Sequence, residues 1–213
     1  MDIVEKLRDT YDRIAVDFSK SAVTPWPFTK NILDQLPISA SILDLGCGNG
    51  RLLNHTRTDL DYLGVDFSET ILAQARKLHP KSKFLTAQLT NPDSLTSLST
   101  YDAVFSIGLI HHFPNKIDHI RHLKAIYDHL KPGGTAVVSF WHLWRLNKLR
   151  FHLASFLAKF RNPSHLYIPY HNQTPRFFYA FTKDELLSYA LKLKFKDPSL
   201  HQDKDNFFLT FTK

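Results

Sequence analysis

The sequence predicts an α/β protein, a doubly wound and mostly parallel sheet of seven strands that ends in a C-terminal antiparallel hairpin. Three observations predict it. Short apolar runs alternate with amphipathic stretches from residue 41 to residue 141. The first apolar run stops at a cluster of glycines, as a strand does when it turns into a helix. After the last helical stretch, two short runs, Phe195 to Pro198 and Asn206 to Phe211, look like strands joined as a hairpin.

Taken in order, Leu7 to Phe18 and Phe28 to Leu36 read as helices. Ser41 to Leu45 (SILDL) is the first strand, and Asn49 to Thr56 opens a helix behind the glycines. Tyr62 to Asp66 is the second strand. Ser68 caps a helix that runs to about Leu78. Lys83 to Ala87 and Tyr101 to Ile107 are the third and fourth strands. Lys116 to Leu130 is a helix with Ile117, Ile120, Leu123, Ile126, Tyr127 and Leu130 on its apolar face, which leaves His119, His122 and His129 to solvent. Residues 131–134 form a turn, and Thr135 to Trp141 is a buried fifth strand. Leu143 to Phe160 repeats leucine and phenylalanine at helical spacing with Arg145, Lys148 and Lys159 opposite. The same stretch could instead lie on a membrane surface, although covering the sheet or the cleft is the simpler use. Asn162 to Pro175 reads as a loop. Thr182 and Glu185 form a capping box for a helix to about Leu193. Phe195 to Pro198 and Asn206 to Phe211 form the hairpin.

The chain of 213 residues suits one domain, with residues 1–36 as a helical cap and 142–181 as an insertion. Hydrophobic residues at 43% and charged residues at 22% are ordinary for a soluble protein. A single cysteine excludes an internal disulfide and favours a reducing, cytoplasmic setting. No apolar run approaches a membrane span, and the first residues carry no signal-peptide core. The net charge of +7 is unevenly spread. Between Asp128 and Asp184 there is no acid, while basic residues alternate with aromatics. That pattern suits a polyanion whose bases can stack; a solvated helix face over core aromatics is the bland alternative.

The strongest local signal is Asp44-Leu-Gly46-Cys47-Gly48-Asn49-Gly50, followed by Asp66 twenty residues after the first glycine. Glycines let the backbone turn sharply and approach a ligand, and an acid at the end of the second strand of a Rossmann-like sheet receives ribose hydroxyls. The spacing G-x-G-x-G differs from the dinucleotide pattern. An acid at 44 is useful beside an ammonium or sulfonium and unhelpful beside a pyrophosphate. S-adenosylmethionine is therefore the preferred cofactor, with Phe67, Gln88, Ser106 and Ile107 as further contacts. Cys47 reads as a small filler.

These motifs, with Gly64-Val-Asp66-Phe-Ser68, Ser106 to Phe113 and Leu130-Lys-Pro-Gly-Gly134, resemble class I methyltransferases in order along the chain. Tyr11-Asp-Arg-Ile-Ala15, Pro25-Trp26-Pro27, His111-His112, Phe140-Trp141 and Arg176 to Leu186 resemble one branch, the tRNA methyltransferases that esterify a carboxymethyl group on the wobble uridine. There are departures. Ala22 stands where the branch has arginine, Gln88 where it has an acid, and Tyr179 where it has histidine.

The resemblance implies a tRNA substrate and a small zinc-ribbon activator subunit pairing with the edge of strand 83–87. A carboxylate acceptor is ionised at neutral pH, with a pKa of about 4, so it needs holding rather than deprotonating. Arg176 is the expected clamp, with His111 and Trp141 at the methyl-transfer point. Trp26, His112, Arg145, Lys148 and Tyr179 are expected substrate contacts. On an extended backbone adjacent side chains point oppositely, so one of the two histidines, His111, is expected in the pocket. No metal is expected, since the two imidazoles diverge and no Cys or acid cluster joins them. Two other functions fit parts of the sequence: a methyltransferase for a small-molecule acid or amine, and a non-catalytic RNA-binding module on the same scaffold.

Overall fold

The computed structural model describes residues 3–54, 59–144, 164–170, 175–203 and 205–213. Helix α1 (Ile3–Ser21) and helix α2 (Pro27–Gln35) precede strand β1 (Ser41–Leu45). Strand β2 (Asp61–Asp66), helix α3 (Glu69–Leu78), strand β3 (Lys83–Thr86) and strand β4 (Tyr101–Ser106) follow. Helix α4 (Lys116–Asp128) leads into the long strand β5 (Leu130–Trp141). Strands β6 (His165–Ile168) and β7 (Arg176–Tyr179) pair, among the described strands, with each other alone. Helix α5 (Lys183–Lys192) then returns the chain to strands β8 (Lys196–Gln202) and β9 (Asn206–Thr212).

The main sheet has seven strands in the order β3-β2-β1-β4-β5-β9-β8. Strands β1 to β5 are parallel, and β9 runs antiparallel between β5 and β8. This is the predicted doubly wound sheet with its hairpin. Successive residues of β1 show why both faces are covered. Ile42 packs into the cluster under α2 and α3, Leu43 into the cluster under α4, and neither is exposed. The order reverses between β1 and β4, and the crevice beyond their carboxyl ends is where such a sheet binds ligands.

The structure corrects several expectations. Arg51–Leu53 is a single 3-10 turn behind Gly50, whose φ is 76°, and the chain is already extended at Asn54. Glycines that leave the first turn so free do not start an α-helix there. Residues 131–134 do not interrupt β5. Leu130 pairs with Tyr101 and Thr135 with Ala103, so the intervening residues loop out of a continuous strand. The expected loop 162–175 contains β6.

His119 and His122 are fully buried rather than solvated. The inward stripe of α4 is His119, His122, Leu123 and Ile126, at helical spacing, and Ile117 is the exposed residue. The imidazoles are tolerated because they have partners. His119 meets the Tyr189 hydroxyl at 3.2 Å and donates its Nε2–H to the Phe113 carbonyl at 2.9 Å; His122 meets Ser106 Oγ at 2.9 Å. Thr182 caps α5 by accepting from the Glu185 N–H, but Glu185 does not complete the box. Its carboxylate takes the hydroxyls of Tyr179 and Tyr189 instead. The expected helix 143–160 lies, beyond Trp144, outside the described residues.

Candidate active site

A cleft opens at the carboxyl ends of β1, β2, β4 and β5, with an empty volume of about 1100 Å³ including its mouth. Its roof is α1. Residues Val4, Leu7, Tyr11 and Phe18 recur at helical spacing, so one face of that helix lines the cleft.

The floor is the glycine turn. Gly46 has φ 75°, and a Cβ there would stand 2.9 Å from Leu109 Cβ, so only glycine fits both the conformation and the space. The Gly48 N–H donates to Asp66 at 3.0 Å, and the Ser68 N–H donates to the same carboxylate at 3.1 Å. These bonds lock the end of β2 to the turn. Burial still raises the Asp66 pKa to about 6. Asp44 accepts from the Tyr62 hydroxyl at 2.8 Å, and burial pushes it up to about 7. Asn49 faces the cleft while its amide donates to the carbonyls of Ser19 and Ala22, tying α1 to the turn. Burial pushes the Cys47 thiol up, so it stays neutral. Two buried carboxylates beside an open turn form a site for a cation.

The opposite wall is aromatic and carries a buried arginine. His111 packs against both Trp141, at 5.3 Å, and Phe178, at 5.1 Å between ring centres. Its Nδ1 is buried without a partner, and burial holds its pKa well below 6.5. His112 Nδ1 faces the Phe177 carbonyl at 2.8 Å, so that nitrogen carries the proton. Burial takes its pKa to about 3, so Nε2 is a bare acceptor and receives the Tyr11 hydroxyl at 3.0 Å. The Tyr11 oxygen in turn accepts from Arg176 Nη1 at 3.1 Å. A directed chain therefore runs from Arg176 through Tyr11 and His112 to the Phe177 carbonyl.

Arg176 is 7% exposed, its Nε is unpartnered, and no carboxylate pairs with it among the described residues. The rings of Tyr170 and Phe178 lie 4.9 and 5.2 Å from its guanidinium carbon. Such a cation, withdrawn from water and lacking a counter-charge, suits an anionic ligand.

Most of the predicted residues converge. Asp44, Gly46, Cys47, Gly48, Asn49, Asp66, Phe67, Gln88 and Ile107 line the cleft, as do Trp26, His111, His112, Trp141 and Arg176. Both histidines line it because residues 110–112 form a 3-10 turn, where strand alternation does not apply. Gly50 sits behind the turn over His79. Ser106 is held inside by His122, and Tyr179 lies in the core with its hydroxyl on Glu185, so neither reaches the cleft. Arg145 and Lys148 lie outside the described residues. Tyr11, which the sequence marked only as part of a family-like motif and not as a site residue, and Arg51, which it did not mark, also line the cleft. Among the described residues no group of three or more metal-ligating side chains converges, and no helix is long and apolar enough to cross a membrane.

Comparison with known proteins agrees with this geometry. The profile of a methyltransferase domain matches residues 43–136. The tRNA (carboxymethyluridine(34)-5-O)-methyltransferase of Saccharomyces cerevisiae is 29% identical over 139 residues, 65% of this chain and 49% of that protein. The enzyme of the same name from Schizosaccharomyces pombe is 30% identical over 149 residues, 68% of this chain and 61% of that protein. The chain thus spans less than two thirds of either relative. Among solved structures, a SAM-dependent methyltransferase from Methanosarcina mazei superposes with a TM-score of 0.68 at 17% identity, covering 89% of this chain and 98% of that one. Residues 43–136 thus match a methyltransferase domain, the solved neighbour shares the fold of a SAM-dependent methyltransferase, and these sequence relatives are tRNA carboxymethyluridine methyltransferases.

Proposed function

We propose that this protein binds S-adenosylmethionine against the glycine turn and methylates a carboxylate on a modified wobble uridine of tRNA, giving a methyl ester. The observation that carries the reading is Arg176, a buried guanidinium without a carboxylate partner among the described residues, on the same cleft as the two buried acids of the turn. The residues fit the cofactor. Asp66 stands at the end of β2 where ribose hydroxyls are received, Asp44 offers a negative charge, and the glycines allow close approach. When bound, the cofactor supplies an electrophilic methyl on a sulfonium.

The chain's own groups do the rest. Arg176 holds the acceptor carboxylate through a planar fork, and Tyr11 and His112 fix the orientation of that fork. His111, held neutral by burial, adds no positive charge that would compete for the carboxylate or protonate it. Trp141 and Phe178, stacked 5.0 Å apart, wall the site and exclude water. No residue is required as a base, because the acceptor arrives ionised. Arg145 and Lys148 belong to the acid-free stretch that would meet the RNA backbone. The outer edge of β3, which pairs only with β2 among the described strands, is the docking edge for a small zinc-ribbon activator. A cytoplasmic setting fits the lone free thiol of Cys47.

The test is incubation with methyl-labelled cofactor and total tRNA, followed by digestion to nucleosides. Alkali-labile label on uridine is expected, with tRNA binding that weakens steeply with salt. Alkali-stable label, or label transferred only to small acids or amines, would overturn the ester assignment. Absence of any cofactor binding by calorimetry would leave only an RNA-binding module.

A further inference from the structure

Arg51 lines the same cleft as Asp44 and Asp66, immediately after the glycine turn. Its guanidinium carbon lies 3.5 Å from the centre of the Trp26 ring. The tryptophan is itself held firmly, since Pro25 and Pro27 flank it and its carbonyl accepts both the Thr29 hydroxyl and the Lys30 N–H. The flat stack fixes the plane of the guanidinium and leaves its N–H edge free. No hydrogen bond or ion pair engages that edge among the described residues, and Asp44 is not within ion-pairing distance. Burial lowers the Arg51 pKa to about 10, so it remains a cation at neutral pH. A half-buried guanidinium, stacked on a held ring and unpaired among the described residues, suits an anionic group on whatever fills the cleft.

The charges around the turn decide which anion. Asp44 and Arg51 flank Gly46 and Gly48 with opposite signs. A phosphate would be repelled by the acid, and a simple cation would be repelled by the arginine. An α-amino acid end, with an ammonium and a carboxylate on one carbon, satisfies both. We propose that Arg51, held flat on Trp26, clamps the carboxylate of the cofactor's amino-acid end while Asp44 faces its ammonium. Arg176 sits with the histidines on the opposite wall and serves the acceptor, so the cleft uses two arginines on two different carboxylates. This assignment rests on the cofactor reading above.

The experiment is calorimetric titration of the wild-type protein, Arg51→Met and Arg51→Lys with two ligands. S-adenosylhomocysteine carries the carboxylate; its decarboxylated amine lacks it and keeps everything else. Methionine preserves an apolar stem against Trp26 while removing the charge. Arg51→Met is expected to lose about 30-fold in affinity for S-adenosylhomocysteine, the scale of one charge-assisted hydrogen-bonded contact, and less than about threefold for the amine. Arg51→Lys should recover part of the loss. Unchanged binding of S-adenosylhomocysteine by Arg51→Met would overturn the assignment. So would an equal loss on both ligands, which would make Arg51 a packing residue for Trp26. If the wild type bound neither ligand, the cofactor reading itself would fall; if it bound both and Arg51→Met matched it, only the clamp would.

Discussion

Replacing Asp44 with asparagine should make the ligand-free protein more stable and worse at binding its cofactor. Asp44 is 3% exposed, and its pKa rises from 3.8 to about 7, first because burial penalises the charge and despite the hydrogen bond from Tyr62. An unfolded chain loses this proton near pH 3.8, whereas the folded one keeps it to about pH 7. Between those values the folded state binds the extra proton, so stability falls as the pH rises across that window. Three pH units at 1.36 kcal/mol each amount to about 4 kcal/mol lost by pH 8, and roughly 2 kcal/mol of that is already lost at pH 5. Asparagine is close to isosteric, can still accept from Tyr62 and does not titrate. Its advantage over the wild type should therefore grow from roughly 2 kcal/mol at pH 5 to about 4 kcal/mol at pH 8. In urea denaturation that is a midpoint shift on the order of 1–2 M at the higher pH. A bound cation offsets the same cost, so wild-type affinity for S-adenosylmethionine should rise with pH through 7, and the variant should bind more weakly with little pH dependence. A variant whose advantage does not grow with pH, or whose cofactor affinity equals the wild type's, would refute the view that the cleft keeps an unstable carboxylate for a cationic ligand.

Three further outcomes follow from the same geometry. Asp66→Ala removes the acceptor of the Gly48 and Ser68 N–H groups together with the ribose-facing carboxylate, so calorimetry should show cofactor affinity falling at least 100-fold; wild-type affinity would exclude the ribose role. Arg176→Ala should reduce turnover on tRNA at least 100-fold while leaving S-adenosylhomocysteine affinity within about twofold, and equal activity would remove the clamp. Leu43→Ala, at the centre of the sheet with no exposure, should cost about 3 kcal/mol in urea unfolding, and a loss under about 1 kcal/mol would mean the core closes over the gap.

What the sequence made legible follows the range of the interactions involved. Strand β1 and the capped start of α3 are local: a short apolar run ending in glycine, and a serine whose side chain reaches the N–H three residues on. The cofactor half of the cleft is local in the same sense, because Asp44, the glycines and Asp66 come from one strand-turn-strand unit, with β1 and β2 side by side. The acceptor half is not. Tyr11 reaches across 101 residues to His112, and Arg176 reaches across 165 to Tyr11, and no period or cap in the sequence announces such a contact. Strand β7 was hidden for a related reason. All four residues of Arg176–Tyr179 are buried, so the alternation that marks a half-exposed strand is missing.

The histidines of α4 show the converse case, in which a local rule is present and misleads. Scored by residue type, Ile117 belongs inside and His119 and His122 outside. Scored by position, the inward stripe is 119, 122, 123 and 126. The imidazoles win it because the neighbouring elements supply partners that water would otherwise supply: the Phe113 carbonyl, the Tyr189 hydroxyl and Ser106 Oγ. Burial then holds His119 at a pKa of about 4 and His122 at about 3. Four histidines thus stand neutral in and beneath the acceptor wall, which leaves Arg176 as the one cation lining that wall among the described residues. On the proposed reading, such a wall favours an acceptor that arrives already ionised, since Arg176 is the charge there to hold it.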